Sequence, residues 1–106
     1  MITFKDFKKL DIRIGSVLSA NKLEGADKLI KMEVDLGEEK RQIVAGMAPF
    51  FPPEYLVGKQ VPVLVNITPM IFRGEESRGM ILAGDVDGKP ILLHPEKEVP
   101  PGTIVR

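Results

Sequence analysis

The sequence predicts an all-β fold: a five-stranded Greek-key barrel with one short helix between strands three and four and a short C-terminal extension. Three observations point there. Apolar and polar residues alternate at period two along most of the chain, the spacing that turns one side of a strand to a core and the other to water. Helical signal is scarce, and its clearest stretch is bounded by prolines and a glycine. Glycine and proline otherwise break the apolar runs into strand-length pieces.

The elements follow in order. Leu10, Ile12 and Ile14 alternate with Asp11 and Arg13, a half-buried first strand that runs on through Gly15 to Val17. GADKL (Gly25–Leu29) reads as a turn of helix or an ordered loop. Ile30, Met32, Val34 and Leu36 alternate with Lys31, Glu33 and Asp35, a second strand. The turn around Gly37–Lys40 leads into a third, RQIVAG (Arg41–Gly46). PPEYLVG (Pro52–Gly58) has prolines where a first helical turn tolerates them and a glycine where a helix stops. Val61, Val63, Val65 and Ile67 alternate with Pro62, Leu64, Asn66 and Thr68, a fourth strand. Pro62 has no N–H for a ladder, which predicts an edge or a bulge there. Met80–Ala83 is the fifth strand, and Asp87-Gly88 is a hairpin turn into Pro90–Leu93. The tail, EVPPGTIVR, ends in another short extended run. A small Greek-key barrel has this order, and the OB-fold is its commonest form; a β-sandwich fragment shares the pattern.

The bulk numbers bound the function. With 106 residues the chain is expected to form one domain, 1–106, around one core. Fifteen basic and fifteen acidic residues cancel, so any basic face is local. The absence of cysteine excludes disulfides and thiol chemistry, and one histidine, His94, leaves little for a metal. No apolar run approaches the ~20 residues of a membrane span, and MITFKDFKKL has no apolar h-region. The expectation is a cytoplasmic protein with no membrane partner. No phosphate-cradling or dinucleotide glycine motif is present, nor a nucleophile elbow. Glu38/Glu39 and Glu75/Glu76 are adjacent carboxylates, which usually point apart into solvent. The chemistry expected is recognition, without catalysis and without a cofactor.

The segments DIRIG (Asp11–Gly15), ADKL (Ala26–Leu29), RQIVAG, LVGKQVPVLVN (Leu56–Asn66), RGEESRGM (Arg73–Met80) and PPGTIVR (Pro100–Arg106) carry a family resemblance. Together they resemble the stand-alone tRNA-binding domain. That module also occurs at the C-terminus of many methionyl-tRNA synthetases and in auxiliary proteins of animal synthetase complexes. An export chaperone of bacteria shares its fold. The resemblance implies an OB-fold homodimer that binds tRNA by shape. It implies a non-catalytic accessory role, as a beta subunit of methionyl-tRNA synthetase. A protein-binding chaperone of the same fold is the alternative.

The resemblance also implies a site. The serine and methionine of the ES-x-GM turn match Ser77 and Met80, which are expected at the RNA surface. A hydroxyl suits a phosphate or a 2′-OH, and a thioether suits a base or sugar face. Arg73 and Arg78 are expected to meet phosphates. Lys28, Lys31, Lys40, Arg41 and Asn66 are expected to share that face. Each also has an ordinary reading. Met80 opens an apolar strand, Ser77 is common turn chemistry, the arginines can pair with Glu75 and Glu76, and lysines are usually solvated. Two departures from the family, Leu23-Glu24 for His-Pro and Met70-Ile71-Phe72 for a stretch with a basic residue, remove contacts. The expected affinity is therefore modest and strongly salt dependent. Met70, Ile71 and Phe72, with Phe50, Phe51 and Tyr55, are expected to cover a partner subunit.

Overall fold

The computed structural model describes every residue, Met1–Arg106. Its elements are α1 (Phe4–Phe7), β1 (Ile12–Leu23), β2 (Ala26–Asp35), β3 (Lys40–Ala45), α2 (Pro53–Leu56), β4 (Gln60–Leu64), β5 (Met70–Phe72), β6 (Glu75–Ser77), β7 (Met80–Ile81), β8 (Ala83–Val86), β9 (Lys89–Leu92) and β10 (Ile104–Val105). The main sheet has the order β3-β2-β1-β4-β7, with β10 added to β1. Two hairpins, β5-β6 and β8-β9, stand off it.

Alternation builds the core. Ile30, Met32 and Val34 of β2, Ile43 of β3, and Val61 and Val63 of β4 are fully buried. Met47 and Leu56, from the segment between β3 and β4, close one side of the same cluster. The long β1 serves two partners. Ile12–Ser16 pair with β4, and Ser16–Leu23 pair with β2. Register shifts between Val17 and Ser19 and between Lys22 and Leu23 bend the strand between these tasks, as bulges do.

The molecule is mostly β and agrees with an OB-like plan, but two expectations need correction. The barrel does not close by a continuous ladder, because β3 and β7 are the two edges of an open main sheet. The strands are also shorter and more numerous than five. Met80–Ala83 divides between β7 and β8, and RGEESRGM contains a strand of its own, β6. GADKL is neither helix nor loop. Its Ala26–Leu29 begin β2, because Glu24-Gly25 makes a two-residue turn that brings Leu23 opposite Ala26.

Other readings hold. The helix between strands three and four spans Pro53–Leu56, within the predicted stretch. Asp87-Gly88 is the turn between β8 and β9, with both residues at positive φ (53° and 82°) and the Asp85 carboxylate accepting from the Gly88 N–H at 2.8 Å. Pro62, by contrast, lies at neither an edge strand nor a bulge, because β4 sits between β1 and β7 with unbroken register. Its carbonyl accepts from the Leu82 N–H, so its ring nitrogen faces the same side, just past the end of the two-residue β7. The missing donor thus falls where the ladder stops. An unforeseen first turn, α1, is capped reciprocally by Thr3 and Asp6. The Thr3 hydroxyl accepts from the Asp6 N–H, and the Asp6 carboxylate accepts from the Thr3 N–H. These bonds to Thr3, and Lys9 beside it, hold Asp6 below the ordinary carboxylate range.

Candidate nucleic-acid interface

The open edge of β3 faces the segment Glu75–Gly79, and side chains rather than a ladder join the two. Only the Arg78 N–H, donating to the Gln42 carbonyl at 2.9 Å, links the backbones there. The Gln42 amide donates to the Glu75 carboxylate and to the Glu76 carbonyl, each at 3.0 Å. The Ser77 Oγ accepts from the Val44 N–H at 3.0 Å and donates toward the Gly79 carbonyl at 3.1 Å. Arg41 donates to the carbonyls of Val65 and Arg78 and pairs with Glu39. That hydrogen bond and charge hold the Glu39 carboxyl below its ordinary range. No buried side-chain nitrogen or oxygen is left without a partner.

The expected site residues do not form one patch. Ser77 is 3% exposed, and its hydroxyl is committed inside the protein. Asn66 ties down the segment before β1, accepting from the Asp11 N–H and donating to the Lys9 carbonyl. Lys31 pairs with Glu75 at 3.4 Å, and Arg78 lies 3.8 Å from Glu76. Arg78 and Met80 are exposed. Met80 stands on the rim of an apolar cleft of about 370 Å³, with Val44, Met47 and Phe50 among its walls.

Two further cations line one depression. Lys28 and Arg73 border a shallow depression formed with Gly25–Leu29, and neither has an ion-pair partner. Arg73 occupies the first position of the β5-β6 turn with φ 52°, followed by Gly74 at 80°. Asparagine, aspartate or glycine are the usual residues at such a turn, and a long side chain in the left-handed region costs about 1 kcal/mol. The turn thus holds an exposed, unpaired guanidinium in a conformation that does not favour it. Lys40 lies far off, opposite Asp35, roughly 23 Å along β2 from Lys28 at ~3.3 Å per residue. Gln42 is the site residue that sequence reasoning missed. Its signal was slight: a polar side chain on the outward face of RQIVAG.

No group of three or more histidines, aspartates or glutamates is arranged to hold a metal ion. Near Arg41, Asp11 binds Arg13 through two hydrogen bonds, which raises the Arg13 pKa further. Fold and site are those of a small β-sheet binding module.

Comparison with known proteins agrees. Residues 12–104 match the family described as "Putative tRNA binding domain". The chain is 59% identical over 104 residues to methionine–tRNA ligase of Archaeoglobus fulgidus and 53% identical over 106 to that of Methanothrix thermoacetophila. These matches cover 98% and 100% of this chain, which spans about 16% of either relative. Among solved structures, a MetRS related protein from Pyrococcus horikoshii superposes with a TM-score of 0.95 at 39% identity, covering 100% of this chain and 98% of its own. The chaperone CsaA of Bacillus anthracis superposes at 0.91 with 36% identity, covering 100% and 99%. The chain belongs to the tRNA-binding domain family.

Proposed function

We propose that the protein binds tRNA by shape, without catalysis, as an accessory to methionyl-tRNA synthetase in the cytoplasm. The family match along almost the whole chain carries this reading, and the segments of methionine–tRNA ligases at 53–59% identity suggest the enzyme it serves. The geometry supports it with two cations outside any ion pair, Lys28 of β2 and Arg73 of the β5-β6 turn, which border one depression together with Asp27. Phosphate contacts there would position a folded RNA without reading its sequence. Arg78 and Met80, exposed as well, extend the proposed surface. With a net charge of zero the attraction is local, so affinity should be modest.

The test is fluorescence anisotropy of labelled tRNA across a salt series. Replacing Lys28 and Arg73 together by alanine should weaken binding and lower the salt slope by about two units, one per phosphate contact. An unchanged slope would remove both residues from the interface.

A homodimer is part of the same proposal. Phe50, Tyr55, Met70 and Ile71 are 42–64% exposed. Tyr55 stacks on Phe51 at 5.3 Å between centroids and carries Lys59 on its ring. Apolar surface of this kind favours a second copy as its cover.

A further inference from the structure

The segment after the β5-β6 turn alternates. Ser77 and Gly79 are buried, while Glu76, Arg78 and Met80 are exposed. In an extended chain a slip of one residue exchanges the two sets. The segment's ends are laddered to β5 (Glu75–Ser77) and to β4 (Met80–Ile81), but where it meets β3 no ladder forms and a single backbone hydrogen bond joins the two. The remaining bonds come from side chains, chiefly Ser77 and Gln42. The Ser77 hydroxyl fits the site in both roles, as acceptor for the edge N–H of Val44 and as donor to the Gly79 carbonyl. Gly79 follows closely, since a Cβ there would meet Ile43 Cδ1 and Val63 Cγ1 at 3.2 Å.

We propose that Ser77 and Gln42 are positioning residues for RNA binding: they lock the register of Glu75–Gly79 against β3 and so turn Arg78 outward, while Met80 is held by its own pairing with Leu64. The proposal rests on the tRNA-binding reading and deepens it. It makes Ser77 a residue that acts through Arg78, although its place in the ES-x-GM turn first suggested direct contact.

The experiment measures tRNA anisotropy across salt for Ser77→Ala, Gln42→Ala, Arg78→Ala and the Ser77→Ala/Arg78→Ala double variant. Amide exchange at Val44 is followed in the same proteins. Gln42, on the outward face of β3, provides a second way to open the seam should Ser77→Ala not fold. The lock predicts faster exchange at Val44 in both seam variants and about tenfold weaker binding. It also predicts a salt slope reduced by about one unit, matching Arg78→Ala. In the Arg78→Ala background, Ser77→Ala should cost less than about twofold, because its effect passes through the arginine. Losses that multiply, with an unchanged slope for Ser77→Ala, would overturn the lock in favour of direct contact. Normal binding with Val44 exposed to exchange would also overturn it. Failure of the unaltered protein to bind tRNA would instead remove the reading on which the proposal rests.

Discussion

At the scale of single residues, Arg73 is the most telling. It holds a left-handed conformation with no partner to reward it. Strain of this kind often marks function, and the inference runs from the observed outlier to the role. Arg73→Asn separates the two effects. Asparagine suits the turn, so thermal or denaturant unfolding should show a gain of about 0.5–1 kcal/mol. The same change should weaken tRNA binding and lower the salt slope by about one unit. A variant that is more stable and binds as before would leave Arg73 with no part in recognition. RGEESRGM could be singled out from its residue types alone, but the role of Ser77 could not. Its burial depends on which edge of β3 the segment meets, and polar residues on both sides of Glu75–Arg78 hide the alternation. Asn66 was hidden similarly, because its partners, Asp11 and Lys9, lie more than fifty residues away.

At the scale of elements, the seam between β3 and Glu75–Gly79 replaces the ladder that would complete a barrel. It needs a close approach at Gly79, whose φ of 150° also disfavours a side chain. Gly79→Ala should therefore destabilise by about 1–3 kcal/mol, through overpacking against Ile43 and Val63 and through backbone strain. Denaturant unfolding measures this, and a change below about 0.5 kcal/mol would mean that the seam yields freely. The β2, β3 and α2 segments were legible because buried and exposed residues alternate cleanly or because proline and glycine mark their ends. The β5-β6 hairpin was not, since Arg73-Gly74 lacks the asparagine or aspartate that advertises such a turn. Nor was the early start of β2, because charged Asp27 and Lys28 after Gly25 resemble a loop. They lie in β2 at a register break, between the pairings of Ala26 with Leu23 and of Ile30 with Lys22, so the flanking partners on β1 carry the strand through them, a tertiary effect that overrides local preference.

At the scale of the whole molecule, an electrically balanced chain separates its cations along one sheet. Lys28 and Arg73 stand outside any ion pair, while Lys31, Arg41 and Arg78 lie against carboxylates. The cluster that the family resemblance implied is thus divided, and Lys40 is remote from its centre. Sequence order could not reveal this, since Lys28 and Lys40 sit at opposite ends of the β2-β3 pair. The proposed dimer also belongs to this scale. Sedimentation at micromolar concentration should give the mass of two chains, and a monomer there would reject it. The central claim is that the molecule recognises folded tRNA through cations placed by the sheet. The most direct measurement is the anisotropy titration of labelled tRNA and of an unstructured poly-U control, from low to physiological salt. The account predicts tighter binding to folded tRNA, falling steeply with salt and weakened in the Lys28→Ala/Arg73→Ala variant. Equal binding to both RNAs would contradict recognition by shape, and no binding even at low salt would contradict the claim itself.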